Sequence, residues 1–268
     1  MLAPEWILSF LFLGAFVGFM AGLLGIGGCG IMVPVLTSLF LVNGVAVDNV
    51  VHLALGTSMA SMIVTTFSSF RAHNAKGVVV RKAVKGMVFG IISGTFLATF
   101  LASYLSSIYL AVFFSLFMAF VSTQMFLNKR PKPSRELAGN PGLFAAGAGI
   151  GAVSALVSIG GGSLTVPYLI WQNVDIKQAI GTSAAIGLPI SIAGTSGYLI
   201  NGWSYSSPQD FVLGFVYLPA VLLISITSFF AAPYGARLAH RLPVSILKKI
   251  FAVLLIFLSI KMLVSVVG

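Results

Sequence analysis

The chain has 268 residues, 58% of them apolar and only 7% charged, with a formal net charge of +10 and a mean hydropathy of +1.06. Soluble domains carry roughly 25% charged residues, so this composition cannot coat a water-soluble globule, which excludes a soluble enzyme and a disordered tail. A single cysteine, Cys29, excludes a disulfide-stapled secreted scaffold.

In chain order, residues 1–12 hold no Lys or Arg and carry Glu5. A secretory leader would begin with a basic stretch, so this reads as a retained membrane segment whose leading end lies outside. The apolar run 6–42 exceeds the roughly 20 residues of one spanning helix. Glycine breaks it in the middle, at Gly25-Ile26-Gly27-Gly28-Cys29-Gly30, with Pro34 soon after, in the first turns of the resumed helix. The runs 50–70, 84–104 and 108–127 have single-helix length. Run 142–171 is again too long and is broken at Ser158-Ile159-Gly160-Gly161-Gly162-Ser163, with Pro167 after it. Runs 178–200, 211–231 and 247–267 complete the chain as single spans.

The two broken runs are copies. A shift of 133 positions superposes Ile, Gly, Gly, Val, Pro and Leu of the breaks and carries Gly14 and Gly18 onto Gly147 and Gly151. The following run repeats as well, Gly56-Thr57-Ser58 matching Gly181-Thr182-Ser183. Two motifs recurring in one order indicate an internal duplication of 1–127 as 142–268, joined by a basic linker at 128–141.

Thirteen of the fifteen basic residues fall in three loop clusters, at 71–85, 129–135 and 237–249. Short loops rich in Lys and Arg stay cytoplasmic; no folded basic face is left for nucleic acid. With all three clusters inside, the fifth run begins and ends inside and is a hairpin. Its copy, the first run, is a hairpin beginning and ending outside. Each half is then a glycine-broken helical hairpin plus three crossings, and the halves are inverted. The expected fold is an all-α polytopic membrane protein with both termini outside and cytoplasmic basic loops. Inverted repeats with broken helices at the midplane build many secondary transporters.

Non-helical backbone at membrane depth persists only where it is packed in protein or lines a cavity. The free N–H groups of a helix resuming after a break favour an anion. The candidate binding residues are therefore Gly27, Gly28, Cys29, Gly30, Gly160, Gly161, Gly162 and Ser163, joined by the duplicated hydroxyls Thr57, Ser58, Thr182 and Ser183. The competing account makes the glycines packing contacts and the hydroxyls helix caps. His52 and Lys177 occupy matching positions, and Arg71 ends the second run. They read either as charges at a pathway mouth or as interfacial groups that snorkel or set topology. No carboxylate lies well inside a run, so a buried acid relay is not expected. No His, Cys and acid cluster suits a metal, no Ser-His-Asp set is visible, and no cofactor or enzymatic activity is expected.

The duplicated breaks, each followed by Gly-Thr-Ser, with Gly194-Thr195, Gly197-Tyr198, Asn201-Gly202-Trp203 and Gly235-Ala236-Arg237-Leu238-Ala239, resemble the TauE/SafE family of membrane transporters, also called sulfite exporters. The resemblance covers essentially the whole chain; Cys29 departs from the usual glycine. It implies an inner-membrane permease for a sulfur-containing or organic anion such as sulfite, thiosulfate or a sulfonate. The residues themselves point to alternating access around a small anion. The alternatives are a channel-like anion pore and a non-transporting structural or assembly protein.

Overall fold

In the computed structural model, which describes residues 4–24, 29–127, 134, 136–239 and 244–267, helices occupy nearly every apolar run. They are α1 (Pro4–Leu24), α2 (Cys29–Val42), α3 (Val47–Ala75), α4 (Arg81–Ala102) and α5 (Ser107–Leu127), then α6 (Asn140–Val157), α7 (Gly162–Trp171), α8 (Ile176–Asn201), α9 (Leu218–Ala239) and α10 (Val244–Val267). Eight are long and apolar enough to cross a membrane; α2 and α7 are shorter. The chain is an all-α polytopic membrane protein. Both overlong runs divide into a long and a short helix, as their glycines predict.

The seventh run departs from the single helix expected over 211–231. Residues 211–217 form a tight ribbon instead, β1 (Val212–Leu213) antiparallel to β2 (Val216–Tyr217), and α9 starts only at Leu218. Gly214, at φ +55°, opens its two-residue turn, the positive φ that tight hairpin turns require. Aromatic and β-branched residues make this stretch apolar enough to extend a hydropathy run. The ribbon buries Phe215, Val216 and Tyr217 in the bundle rather than extending the helix. Pro34 and Pro167 also sit deeper than the first turn, each as the sixth residue of its helix. There each removes the donor that would meet the carbonyl four residues back, that of Gly30 or Ser163.

α3 and α8 form the centre. Every residue from Val50 to Met62 is buried, so α3 is enclosed on all sides over more than three turns. Around this pair, α1 packs on α9, α4 on α6 and α5 on α10. Glycine makes the first two contacts close. A Cβ on Gly14 would stand 2.7 Å from the Ile224 backbone, and one on Gly18 would strike Ser228. Across α4 and α6, a Cβ on Gly94 would stand 2.8 Å from Ala148 Cα, and one on Gly147 would strike the Met87 carbonyl. The lipid-sized apolar side chains Phe89, Leu116, Phe230 and Phe257 point outward, as a bilayer-facing surface should.

Contacts at the helix ends give the path of the chain. The Ser134 N–H donates to the Trp171 carbonyl at 3.1 Å, and the Ala138 N–H donates to Gln172 Oε1 at 3.2 Å. The start of α6 and the end of α7 are therefore neighbours, and this broken run is a hairpin that returns to its own side. Lys249, near the start of α10, lies 5.4 Å from the centre of the Phe126 ring at the end of α5. Arg81, Lys82 and Lys85 of α4 share a groove with Asn140 at the start of α6. The described parts of the basic clusters thus gather at one end of the bundle. At the other end Phe10 of α1 and Phe40 of α2 both pack on Tyr217, with centroids 5.9 and 5.7 Å away. The first hairpin opens and closes there.

Candidate substrate site

The second break lies between the hairpin and the central pair. α6 ends with Ser158 in the left-handed region, and Gly161, at φ +75°, starts α7. The backbone then turns over in four residues, which the positive φ at Gly161 permits without steric cost. A Cβ on Gly161 would sit 2.9 Å from Ile190 Cδ1, and one on Gly187 would sit 2.9 Å from the Gly160 carbonyl. Both neighbours belong to the middle of α8, so the break lies at half its length and not at either end. Met62 and Thr66 of α3 close the other side of Gly160.

The local polarity is unbalanced. The Ile159 N–H donates to Ser154, and the first bonds of α7 come from Leu164 and Thr165 to the Gly161 carbonyl. Among the described residues, the N–H groups of Gly160, Gly161, Gly162 and Ser163 have no backbone acceptor, the open donors of a helix start. The hydroxyls of Ser154, Ser158 and Thr165 around them are buried and have no partner. Thr165 Oγ1 lies 3.3 Å from where a Gly161 Cβ would be. Beside them Thr66 and Ser191 pair their hydroxyls at 3.2 Å. Buried polar groups are nearly always hydrogen-bonded, so this cluster of donors can receive an acceptor, whether water or an anion.

The sequence motif marks Gly160, Gly161, Gly162 and Ser163, whereas Ser154, Ser158, Thr165, Thr66, Gly187 and Ser191 join them only in the folded chain. One signal for the missed pair was present: Thr66 and Ser191 stand 125 positions apart, the spacing that relates Thr57 to Thr182.

The Gly-Thr-Ser motifs lie farther from the break, one and a half turns along α3 and α8 in opposite directions. Thr57 Oγ1 accepts the Tyr217 N–H at 3.0 Å, and Thr182 Oγ1 accepts the Val80 N–H at 2.9 Å. Tyr217 and Val80 immediately precede α9 and α4, so each threonine terminates a helix of the other half of the chain. Gly56 and Gly181 let these strands approach, since a Cβ would meet the Phe215 carbonyl or, at 3.0 Å, that of Val78. Ser183 donates to the Ile180 carbonyl, while the buried Ser58 hydroxyl has no partner. Gly27 and Gly28 lie outside the described residues, as does the side chain of Cys29. Gly30 faces Leu255 of α10 and Met118 of α5, at 3.1 and 3.3 Å from its Cβ position.

Of the three candidate pathway charges, His52 does not snorkel. It is buried, with Nε2 2.9 Å from the Ala102 carbonyl and its ring 5.0 Å from that of Phe215. The physical reason is the ribbon, which folds over the end of α3 and encloses the imidazole. Burial raises the phenols of Tyr205 and Tyr217 above the ordinary tyrosine range, with Asp210 adding to the effect at Tyr217, so this cover carries no phenolate charge. Lys177 and Arg71 are exposed at helix ends. Among the described residues no cluster of His, Cys, Asp and Glu could hold a metal.

A broken hairpin packed against two buried central helices sits inside a bundle of apolar helices, and the comparison with known proteins says which family builds it. The profile of the family described as Sulfite exporter TauE/SafE matches residues 10–262. The chain is a member of the TauE/SafE family. A relative in Haemophilus influenzae, named a probable membrane transporter protein, is 36% identical over 258 residues, 96% of this chain and 98% of its own length. Probable membrane transporter proteins of Bacillus subtilis and Methanocaldococcus jannaschii are 25% and 23% identical, over 87% and 85% of this chain and 90% and 85% of theirs. No solved structure matches significantly. This TauE/SafE protein is a membrane transporter.

Proposed function

We propose that the chain is a secondary transporter for a small sulfur-containing or organic anion, such as sulfite, thiosulfate or a sulfonate, working by alternating access in the inner membrane. The observation that carries the proposal is the second break, where four open N–H groups and three unpartnered hydroxyls converge beside the middle of α8. A dehydrated oxyanion needs such donors, and a fixed set of them replaces its water shell without a formal charge. Gly160, Gly161, Gly162 and Ser163 supply the N–H groups and Ser154, Ser158 and Thr165 the hydroxyls of the break, with Ser58 a further donor along α3. Gly27, Gly28, Cys29 and Gly30 supply the matching set from the first break. Thr57, Thr182 and Ser183 stand beside the path; each threonine hydroxyl that accepts a backbone bond keeps its own proton to donate.

The two halves, 1–127 and 142–268, act as inverted repeats. Support comes from the ends at which the hairpins open, basic for the second and opposite for the first, and from the matched contacts of α1 with α9 and α6 with α4. Binding between repeats lets one half rock against the other around a fixed site. The resemblance to sulfite exporters supports the choice of anion.

Counterflow in liposomes is the test. Protein loaded with unlabelled sulfite, thiosulfate or a sulfonate should accumulate labelled solute transiently, which a channel-like pore cannot do. Gly161→Val and Gly28→Val should abolish flux while the protein still inserts. Normal flux in both variants would remove the site, and conductance without counterflow would replace the carrier by a pore.

A further inference from the structure

Away from the central pair, a groove of about 720 Å³ runs between the start of α4 and the start of α6, lined by Arg81, Lys82, Lys85, Phe89, Asn140 and Phe144. We propose that this groove binds an anionic diacyl phospholipid, its phosphate held by Arg81, Lys82 and Lys85 and its acyl chains lying on Phe89 and Phe144.

Three features carry the inference. First, the cations are electrostatically misplaced for α4 alone. They occupy its first five residues, no acidic residue shares that first turn, and a helix N-terminus disfavours positive charge. None of the three makes an ion pair among the described residues. A phosphate in the groove supplies the missing anion to the side chains and the helix end together. Second, the opposite wall is apolar and faces the bilayer: Phe89 is 72% and Phe144 46% exposed, and both lie in helices long enough to span. A soluble anion has no use for that wall; acyl chains do. Below it the groove is closed, because Gly90 lets α4 touch α6, a Cβ there standing 3.0 Å from the Ala148 N.

Third, the corresponding crossing at the other end of the bundle lacks the charge. Aligning Gly14 against Ile224 with Gly147 against Met87 places Leu218, Pro219 and Leu222 where Arg81, Lys82 and Lys85 stand, and Ile7 and Leu11 where Asn140 and Phe144 stand. The close helix crossing therefore does not require cations. Topology alone requires them only somewhere in the loop, whereas these three converge on one groove. Basic pockets between spanning helices are a recognised form of anionic-lipid site.

The test is native mass spectrometry of the purified full-length protein titrated with phosphatidylglycerol or with phosphatidylcholine of the same acyl chains. Wild-type protein should retain one phosphatidylglycerol with about tenfold preference or more. Each of Arg81→Gln, Lys82→Gln and Lys85→Gln should weaken retention about fivefold, the equivalent of ~1 kcal/mol for a basic residue near an anionic membrane surface. Phe89→Ser should weaken both lipids, and millimolar glycerol 3-phosphate should not displace the bound lipid. Equal retention of the two lipids by wild-type protein overturns the proposal, and that comparison needs no variant to fold. Unchanged retention in the folded Gln variants overturns it too. Displacement by glycerol 3-phosphate with no effect of Phe89→Ser would assign the groove to a soluble phosphate instead.

Discussion

Thr57 and Thr182 occupy matching Gly-Thr-Ser motifs and do the same work at opposite ends of the central pair. Each hydroxyl accepts the N–H that precedes a helix of the other half. Thr57→Val leaves a buried donor unmatched, which costs about 1–3 kcal/mol, and Thr182→Val, whose donor is half-buried, should cost less. Thermal unfolding should show the loss, and Thr→Ser at the same position should recover most of it. Thr165 makes the opposite case. Its buried hydroxyl has no partner, so Thr165→Val removes a polar atom without breaking a bond. The unfolding midpoint should hold or rise. If the hydroxyl serves the anion, affinity in the binding assay should fall by on the order of tenfold, the strength of a hydrogen bond to a charged group. A midpoint that falls together with unchanged affinity would assign Thr165 to the fold instead.

Glycine acts at the scale of the element by setting how near two helices come. On α1, α4 and α6 it occurs at four-residue spacing, which places it on one helix face; that face of α1 meets α9, and those of α4 and α6 meet each other. Gly18→Leu and Gly94→Leu drive a branched side chain into the backbones of Ser228 and Ala148. Overpacking of this kind costs about 1–3 kcal/mol and occasionally more, and both variants should lose yield and melt earlier. Gly149, on α6, has nothing within 4 Å of its Cβ position. Gly149→Ala should be neutral or stabilise by up to about 1 kcal/mol, since alanine loses less backbone freedom in a helix. Were all three to behave alike, the glycines would be helix composition and not contact surface.

Across the whole molecule, charge and topology are linked. The described basic residues of the loops gather at one end, where the second hairpin also opens; the first hairpin opens at the other, beside the β-ribbon. In a Cys29→Ala background, Lys82→Cys and Lys249→Cys should react with a membrane-impermeant maleimide from one side of the membrane only. Ser204→Cys and Val47→Cys, both at exposed positions, should react from the other. Labelling of Lys82→Cys and Ser204→Cys from the same side would overturn this path of the chain and with it the inverted repeats.

Much of this was legible before any coordinates. Hydropathy runs locate nearly every helix because in a bilayer the backbone must satisfy itself, and a helix does so within one segment. The paired Ile-Gly-Gly breaks and the loop charges together predict hairpins that return to their own side, since both signals act locally along the chain. The ribbon at 212–217 was not legible: an apolar stretch that packs inward has the same hydropathy as one that spans. The roles of the hydroxyls stayed open in the sequence for a related reason. A hydroxyl records in sequence only that it is polar, and whether it caps a helix or stands open depends on which distant backbone arrives beside it. Tyr217 reaches Thr57 across 160 positions, while nothing reaches Thr165. The sequence by itself thus determined the membrane class, the broken helices and the sparing use of charge. Only the tertiary structure decided which polar groups were consumed by the fold and which were left open at the second break, because partnership between buried groups is a property of long-range packing.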